Sequence, residues 1–134
     1  MKSRESMLKP KRFNVTERAR KVADLESMIR EFEGMAAELD RQIMTEEDRT
    51  GVKDPQHFSY STFAKAAAQR REKLLTSVAD LRAQLERAAS DHAIAVEELR
   101  LLETEETRDS NERSSSMRPD RPLLLATASA GRLN

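Results

Sequence analysis

Apolar residues recur at alternating spacings of three and four along two stretches of this chain, one on each side of Pro55. Each stretch has ten seam positions, and eight of the ten are apolar. Such a repeat, sustained over several heptads, indicates a coiled-coil seam. The seam positions are Val15, Arg18, Val22, Leu25, Ile29, Phe32, Ala36, Leu39, Ile43 and Glu46, then Arg71, Leu74, Val78, Leu81, Leu85, Ala88, His92, Ala95, Leu99 and Leu102. A buried helix in a globular protein can mimic one stripe, but two in series favour a coiled coil. Met28 and Met35 are expected to widen the first stripe.

The segment between the two stretches contains the residues that end and restart a helix. Gly51 suits a helix C-cap, and Pro55 biases the preceding residue away from helix. Ser59 or Ser61 can cap the next helix through its hydroxyl oxygen. We therefore predict a first helix ending near residue 50, a bend over 51–60, and a second helix over about 60–108.

The two ends of the chain have different sequence features. The first helix begins either near Ser3, with a kink at Pro10, or at Asn14, where Asn-Val-Thr-Glu resembles a capping box. After Arg108 the apolar repeat stops. Residues 109–134 are rich in Ser and Arg and contain two prolines, so they are predicted to form a disordered tail.

Charge indicates how the two stretches pair. Residues 1–21 hold eight Lys or Arg against two Asp or Glu, whereas residues 88–112 hold two against eight. Residues 22–54 hold four against ten, and residues 55–87 hold six against three. An antiparallel pair sets basic beside acidic along both halves, whereas a parallel dimer sets like beside like. If paired numbers sum to about 110, Ile29 faces Leu81 and Arg18 faces His92. The predicted fold is all-α: a long, monomeric, two-helix antiparallel coiled-coil hairpin with a disordered C-terminal tail.

Composition argues against several classes of protein. The chain is 36% charged and only 4% aromatic, has no cysteine and has a mean hydropathy of −0.76. No apolar run approaches the ~18 residues of a membrane span, and no secretory signal is evident. The protein is therefore expected to be cytoplasmic and not inserted in a membrane. A net charge of zero argues against nucleic-acid binding.

Catalytic motifs are likewise not evident. The sequence has no Gly-rich phosphate loop, serine elbow or metal-ligand spacing, and a two-helix rod offers no enclosed site. His57 and His92 would lie roughly 50 Å apart along such a hairpin, which is too far to share a metal. We expect no enzyme activity, no cofactor and no metal.

Aromatic residues cluster at the bend. Phe58, Tyr60 and Phe63 are three of the five aromatic residues in the chain, and Arg70 and Arg71 follow them. They either staple the loop onto the helices or form exposed anchors for a partner, because aromatic residues and Arg dominate interface energetics. Together with two residues of the N-terminal basic block, they form the candidate partner-binding set: Phe58, Tyr60, Phe63, Arg70, Arg71, Lys11 and Arg12.

Two segments also resemble a known family. They are Arg12-Phe13-Asn14-Val15 with Met28, Ile29, Phe32 and Met35, and the bend segment Arg49-Thr50-Gly51-Val52, Asp54-Pro55, His57-Phe58, Tyr60, Thr62-Phe63-Ala64-Lys65-Ala66-Ala67 and Arg70-Arg71. Over roughly residues 1–108 the chain is similar to the flagellar type III export protein FliJ family in its alphaproteobacterial form. The bend is the most specific part of the resemblance. Pro10 and the segment after Asp109 depart from the family pattern.

The resemblance implies a non-enzymatic component of the flagellar export apparatus. Members of that family form an antiparallel two-helix coiled coil that resembles the stalk of rotary ATPases. They bind the export ATPase ring, the cytoplasmic domain of the export gate and export chaperones. Such a protein is associated peripherally with the inner face of the plasma membrane.

Two other functions stay open from the sequence. One is a coiled-coil scaffold or adaptor unrelated to export, in the form of a parallel dimer. The other is a hairpin that inserts an acidic tip into the channel of RNA polymerase, with the acid supplied by Glu46, Glu47, Asp48 and Asp54.

Overall fold

Two long helices make up the structure. A computed structural model describes residues 2–116, with the side chains of residues 5–114. Helix α1 spans Lys2–Thr50 and helix α2 spans Thr62–Ser116, and no strand occurs among these residues. The helices pack against each other in antiparallel orientation, which confirms the predicted fold class. The packing forms two units: Val15–Ile94, and the described parts of 1–14 and 95–134.

The unit Val15–Ile94 is held together by the predicted seam. Its core cluster contains buried residues from both helices, flanked by half-buried apolar ones: Leu25, Ile29, Val78, Leu81 and Ala88, with Val22, Phe32 and Leu85. This core is one side chain thick. No large side chain is fully enclosed in the described part of the chain, and the most buried residues, Ala64 and Ala67, are alanines.

Ion pairs between the helices confirm the orientation of this unit. Arg71 lies 2.5 Å from Asp40, a charge contact rather than an aligned hydrogen bond, and Arg82 pairs with Glu33. The paired residue numbers sum to 111 and 115, near the predicted value. Exposed pairs of this kind each stabilise a fold by about 0–1 kcal/mol, so their pattern selects the orientation more than it adds stability.

Ion pairs also join the two helices in the second unit. Its basic residues lie on α1, where Lys11 contacts Glu98 and Arg12 contacts Glu103, each at 3.7 Å. The N-terminal basic block therefore faces acidic residues of α2, as the charge pattern predicts. Leu8, on α1, is buried in this unit.

Two predictions about the seam were wrong. Met28 and Met35 do not widen the buried stripe, because their side chains are 42% and 48% exposed. They lie beside the seam on α1, where α2, the other described helix, does not cover them. Arg18 contacts Asp91 at 3.4 Å, whereas His92, the expected partner, is a half-buried neighbour on the seam.

The end of α1 at Thr50 agrees with the prediction, and of its two predicted starts the structure has the one near Ser3. Helix α1 begins at Lys2 and continues through Pro10, so Asn14 is an internal residue and not an N-cap. Helix α2 continues to Ser116 rather than to about 108. The half-buried Glu106 and Asp109 continue its seam with polar residues, so the apolar repeat does not extend to them. The rest of the predicted tail, 117–134, lies outside the described residues.

Candidate functional site at the bend

The bend begins with a glycine cap on α1. Gly51 has a φ of +75°, in the left-handed region where a residue without Cβ is unstrained. Its N–H donates to the carbonyl of Glu47 at 2.8 Å, the single bond of an αL C-cap. The sequence prediction of a C-cap at this position is therefore confirmed, and the chain leaves the helix in a fixed direction.

Two successive turns then fold the loop. The Asp54 carboxylate accepts a hydrogen bond from the N–H of Gln56 at 2.9 Å, and the Asp54 carbonyl accepts one from His57 at 3.0 Å. The His57 carbonyl accepts from the N–H of Tyr60 at 3.0 Å, and its Nδ1 accepts from Ser59. Local hydrogen bonds of Asp in a turn satisfy backbone groups that a helix would otherwise pair. Asp54 and His57 thus define the path of the loop.

Two glutamates near the end of α1 anchor the far side of the loop. Glu46, whose side chain is 16% exposed, accepts hydrogen bonds from Arg49 at 2.8 Å and from the hydroxyl of Ser61 at 2.6 Å. These bonds from Arg49 and Ser61 lower the pKa of Glu46 from 4.5 to about 2. Glu47 accepts a hydrogen bond from the Tyr60 hydroxyl at 2.6 Å, which raises the pKa of Tyr60.

Ser61 also starts the second helix. Its Oγ accepts the N–H of Ala64 at 3.1 Å while the same hydroxyl donates to Glu46. This is the N-cap geometry, in which a side-chain oxygen satisfies a free backbone donor of the first turn. Of the two predicted caps, the structure uses Ser61. One residue therefore both begins α2 and fastens it to α1.

The three aromatic residues of the bend have different environments. Phe58 is 95% exposed, and its ring stacks on His57 with centroids 4.7 Å apart. Phe63 is 52% exposed. Tyr60 is half-buried and is held by Glu47. The loop is therefore stapled by Tyr60, and Phe58 and Phe63 are left on the surface.

The basic candidates also separate. Arg70 is exposed, whereas Arg71 is half-buried against Asp40. Lys11 and Arg12 are paired with α2 acids in the other unit and do not belong to the bend. Of the seven predicted residues, the structure leaves Phe58, Phe63 and Arg70 displayed to solvent at or next to the bend.

Sequence reasoning missed some surface residues near the bend. Met44, in the last turns of α1, is 63% exposed, and His57 supports Phe58. Met44 lies off the heptad stripe, so an apolar residue at an outward position was the available signal. Phe63 borders a shallow depression on the end of α1 that is lined by Glu38, Arg41, Gln42, Thr45 and Glu46.

Within the described residues, no group of three or more His, Cys, Asp or Glu side chains is placed to hold a metal ion. None of the described helix segments is long and apolar enough to cross a membrane. No protein-family model matches the chain, and neither curated proteins nor solved structures show significant similarity to it.

Proposed function

We propose that this chain is a non-enzymatic, FliJ-like component of the bacterial flagellar type III export apparatus. In this role it is a stalk-like coiled coil that links the export ATPase ring to the export gate and assists export chaperones. The proposal is carried by one observation: the bend, where the resemblance to that family is most specific, displays a nearly fully exposed Phe58 on an otherwise fastened loop.

The construction of the bend supports a binding role. An exposed aromatic side chain on a flexible loop loses conformational freedom when it binds, and this loss lowers affinity. Here the residues around Phe58 are already held by the Gly51 cap, the two turns and the Tyr60–Glu47 bond. A preorganised aromatic anchor of this kind is the type of residue that dominates interface energetics.

The acidic-tip alternative fits the geometry less well. A hairpin that enters a polymerase channel by electrostatics needs carboxylates available at its tip. Glu46 and Glu47 are instead occupied by Arg49, Ser61 and Tyr60, and Asp54 accepts a backbone N–H. A coiled-coil scaffold unrelated to export remains the alternative, and a pull-down experiment distinguishes it from the export role.

The test is a pull-down of the full chain with the export ATPase and, separately, with the cytoplasmic domain of the export gate. We expect at least one partner to bind the wild type and to bind Phe58→Ala at least about tenfold less, as for an interface hot spot. Ile94→Ala is the matched control, because Ile94 is 56% exposed but lies on α2, outside the bend and outside the segments that carry the resemblance. Its binding is expected to be unchanged.

Two results would contradict the proposal. One is binding of neither partner by the wild type, which would favour the scaffold alternative. The other is normal flagellar motility in a strain that lacks the gene. Equal losses in Phe58→Ala and Ile94→Ala would refute the role of the bend but not the export role.

A further inference from the structure

A recess of about 190 Å³ opens beside the seam in the unit Val15–Ile94, well along the helices from the bend. Both helices contribute to its lining, which consists of Arg18, Lys21, Gln84, Arg87, Ala88 and Asp91. Ala88 is a buried seam residue, and its methyl group is the smallest side chain in the lining. The recess is therefore a product of the small residue at this layer of the seam.

The lining carries an excess of positive charge. Three cationic side chains face one carboxylate, a formal charge of +2. Asp91 contacts Arg18 at 3.4 Å. Lys21 and Arg87 have no carboxylate partner among the residues that the structure describes. Two cations in a concave site thus remain without a counter-charge from the described residues.

Two other depressions on the described surface lack this property. The depression beside Phe63 contains Glu38 and Glu46 as well as Arg41. A third depression is lined by α2 alone, with Glu103 between Arg100 and Arg108. Neither combines an unbalanced charge of +2 with a lining from two helices.

We propose that this recess binds a phosphoryl group, either of a free phosphate compound or of a phospholipid headgroup. A phosphate monoester carries a charge of about −1.5 to −2 at pH 7, which approaches the excess in the lining, whereas a single carboxylate neutralises half of it. Arg presents a planar set of N–H donors that suits phosphate oxygens, and Lys adds a point charge. Gln84 adds a neutral donor to the lining. The inference rests on this recess alone and does not depend on the proposed export function.

The experiment titrates the full, isotope-labelled chain with inorganic phosphate at constant ionic strength and follows its backbone amide resonances. We expect saturable shifts at residues 18–21 and 84–91. The variant Lys21→Gln/Arg87→Gln should bind phosphate about tenfold more weakly, because it loses two charge-assisted contacts.

The control variant is Lys65→Gln/Lys73→Gln, which removes two exposed cations outside the recess and changes the net charge equally. It should bind phosphate as the wild type does. Both variants are expected to fold, because all four replaced residues are exposed, and circular dichroism verifies this. Non-saturating shifts, or an equal loss of binding in the control, would overturn the proposal, since either indicates general screening.

The source of the phosphoryl group is separated by a vesicle assay. Phosphatidylcholine vesicles with and without phosphatidic acid are sedimented with the wild type and the recess variant. Binding of the wild type alone, and only to the acidic vesicles, supports a lipid headgroup. Saturable phosphate binding without co-sedimentation supports a free phosphate compound. If poly-glutamate binds the same amides more tightly than phosphate, the site recognises acidic peptides and the phosphoryl proposal is wrong.

Discussion

Replacing Ile29 with alanine tests whether the single-layer seam supplies the stability of this fold. Ile29 is 5% exposed and belongs to the core cluster of the unit Val15–Ile94. The substitution removes three carbon groups, and each buried group contributes about 0.8 kcal/mol, so the transfer term is roughly 2.4 kcal/mol. Alanine recovers a few tenths through its better helix propensity.

The cavity term should be small at this position. A core one side chain thick has solvent next to it, so the space left by Ile29 can collapse or admit water. We therefore expect a total loss of about 2 kcal/mol in the free energy of unfolding, at the low end for Ile→Ala in a core. For a chain of this size, this corresponds to roughly 6–12 °C in Tm.

Met28→Ala is the matched control. It removes the same number of heavy atoms from the adjacent residue, but Met28 is 42% exposed. Its expected cost is less than about 1 kcal/mol. Both variants are compared with the wild type by urea denaturation followed by circular dichroism, at two protein concentrations. Equal costs for the two variants would refute the seam assignment, and a wild-type midpoint that rises with protein concentration would refute folding within one chain.

Three further predictions concern the bend and the helix interior. Gly51→Ala should destabilise the fold by about 1 kcal/mol, because Gly51 has a positive φ. Gly34→Ala should stabilise the fold by about 0.5–1 kcal/mol, because Gly34 lies inside α1 with open space where a Cβ would be. Thermal denaturation measures both changes. Ser61→Ala should cost about 1 kcal/mol, measured in the same way, because the N-cap of α2 is lost. The pKa of Glu46 is lowered, so its ionised form stabilises the fold above about pH 4.5, and this contribution is lost as the pH falls toward 2. A carboxyl NMR titration should give a midpoint near 2, and the midpoint should rise in Ser61→Ala; an unshifted midpoint would contradict the Arg49 and Ser61 bonds.

The seam and the orientation of the helices could be predicted from the sequence because they depend on periodicity and blocks of charge. Ile29 and Leu81 are buried where the heptad places them, and Arg82 finds an acidic partner across the seam. Position relative to the seam, however, decides exposure more sharply than hydrophobicity. Met28 was therefore misassigned, because a pair of helices covers only a narrow stripe of each.

The position of the candidate site could be predicted from the sequence, but the role of each of its aromatic residues could not. The cluster of aromatic residues indicated the bend, and Gly51 and Ser61 were recognisable caps. Which aromatic side chain holds the loop to α1 depends on the contact between Tyr60 and Glu47. These two residues are thirteen positions apart in the chain and follow no repeat. The end of α2 was missed for a related reason, since Glu106 occupies a seam position without being apolar.

The two enclosed alanines next to the bend have a mechanical consequence. Ala64 and Ala67 are 0% and 1% exposed, and a methyl group has no rotamer to change. The spacing between the helices at that layer is therefore fixed by backbone geometry, whereas layers built from Leu, Ile or Val can repack. Within Val15–Ile94, any sliding or parting of the helices should be smallest beside the loop and grow with distance from it, so that the loop acts as a pivot.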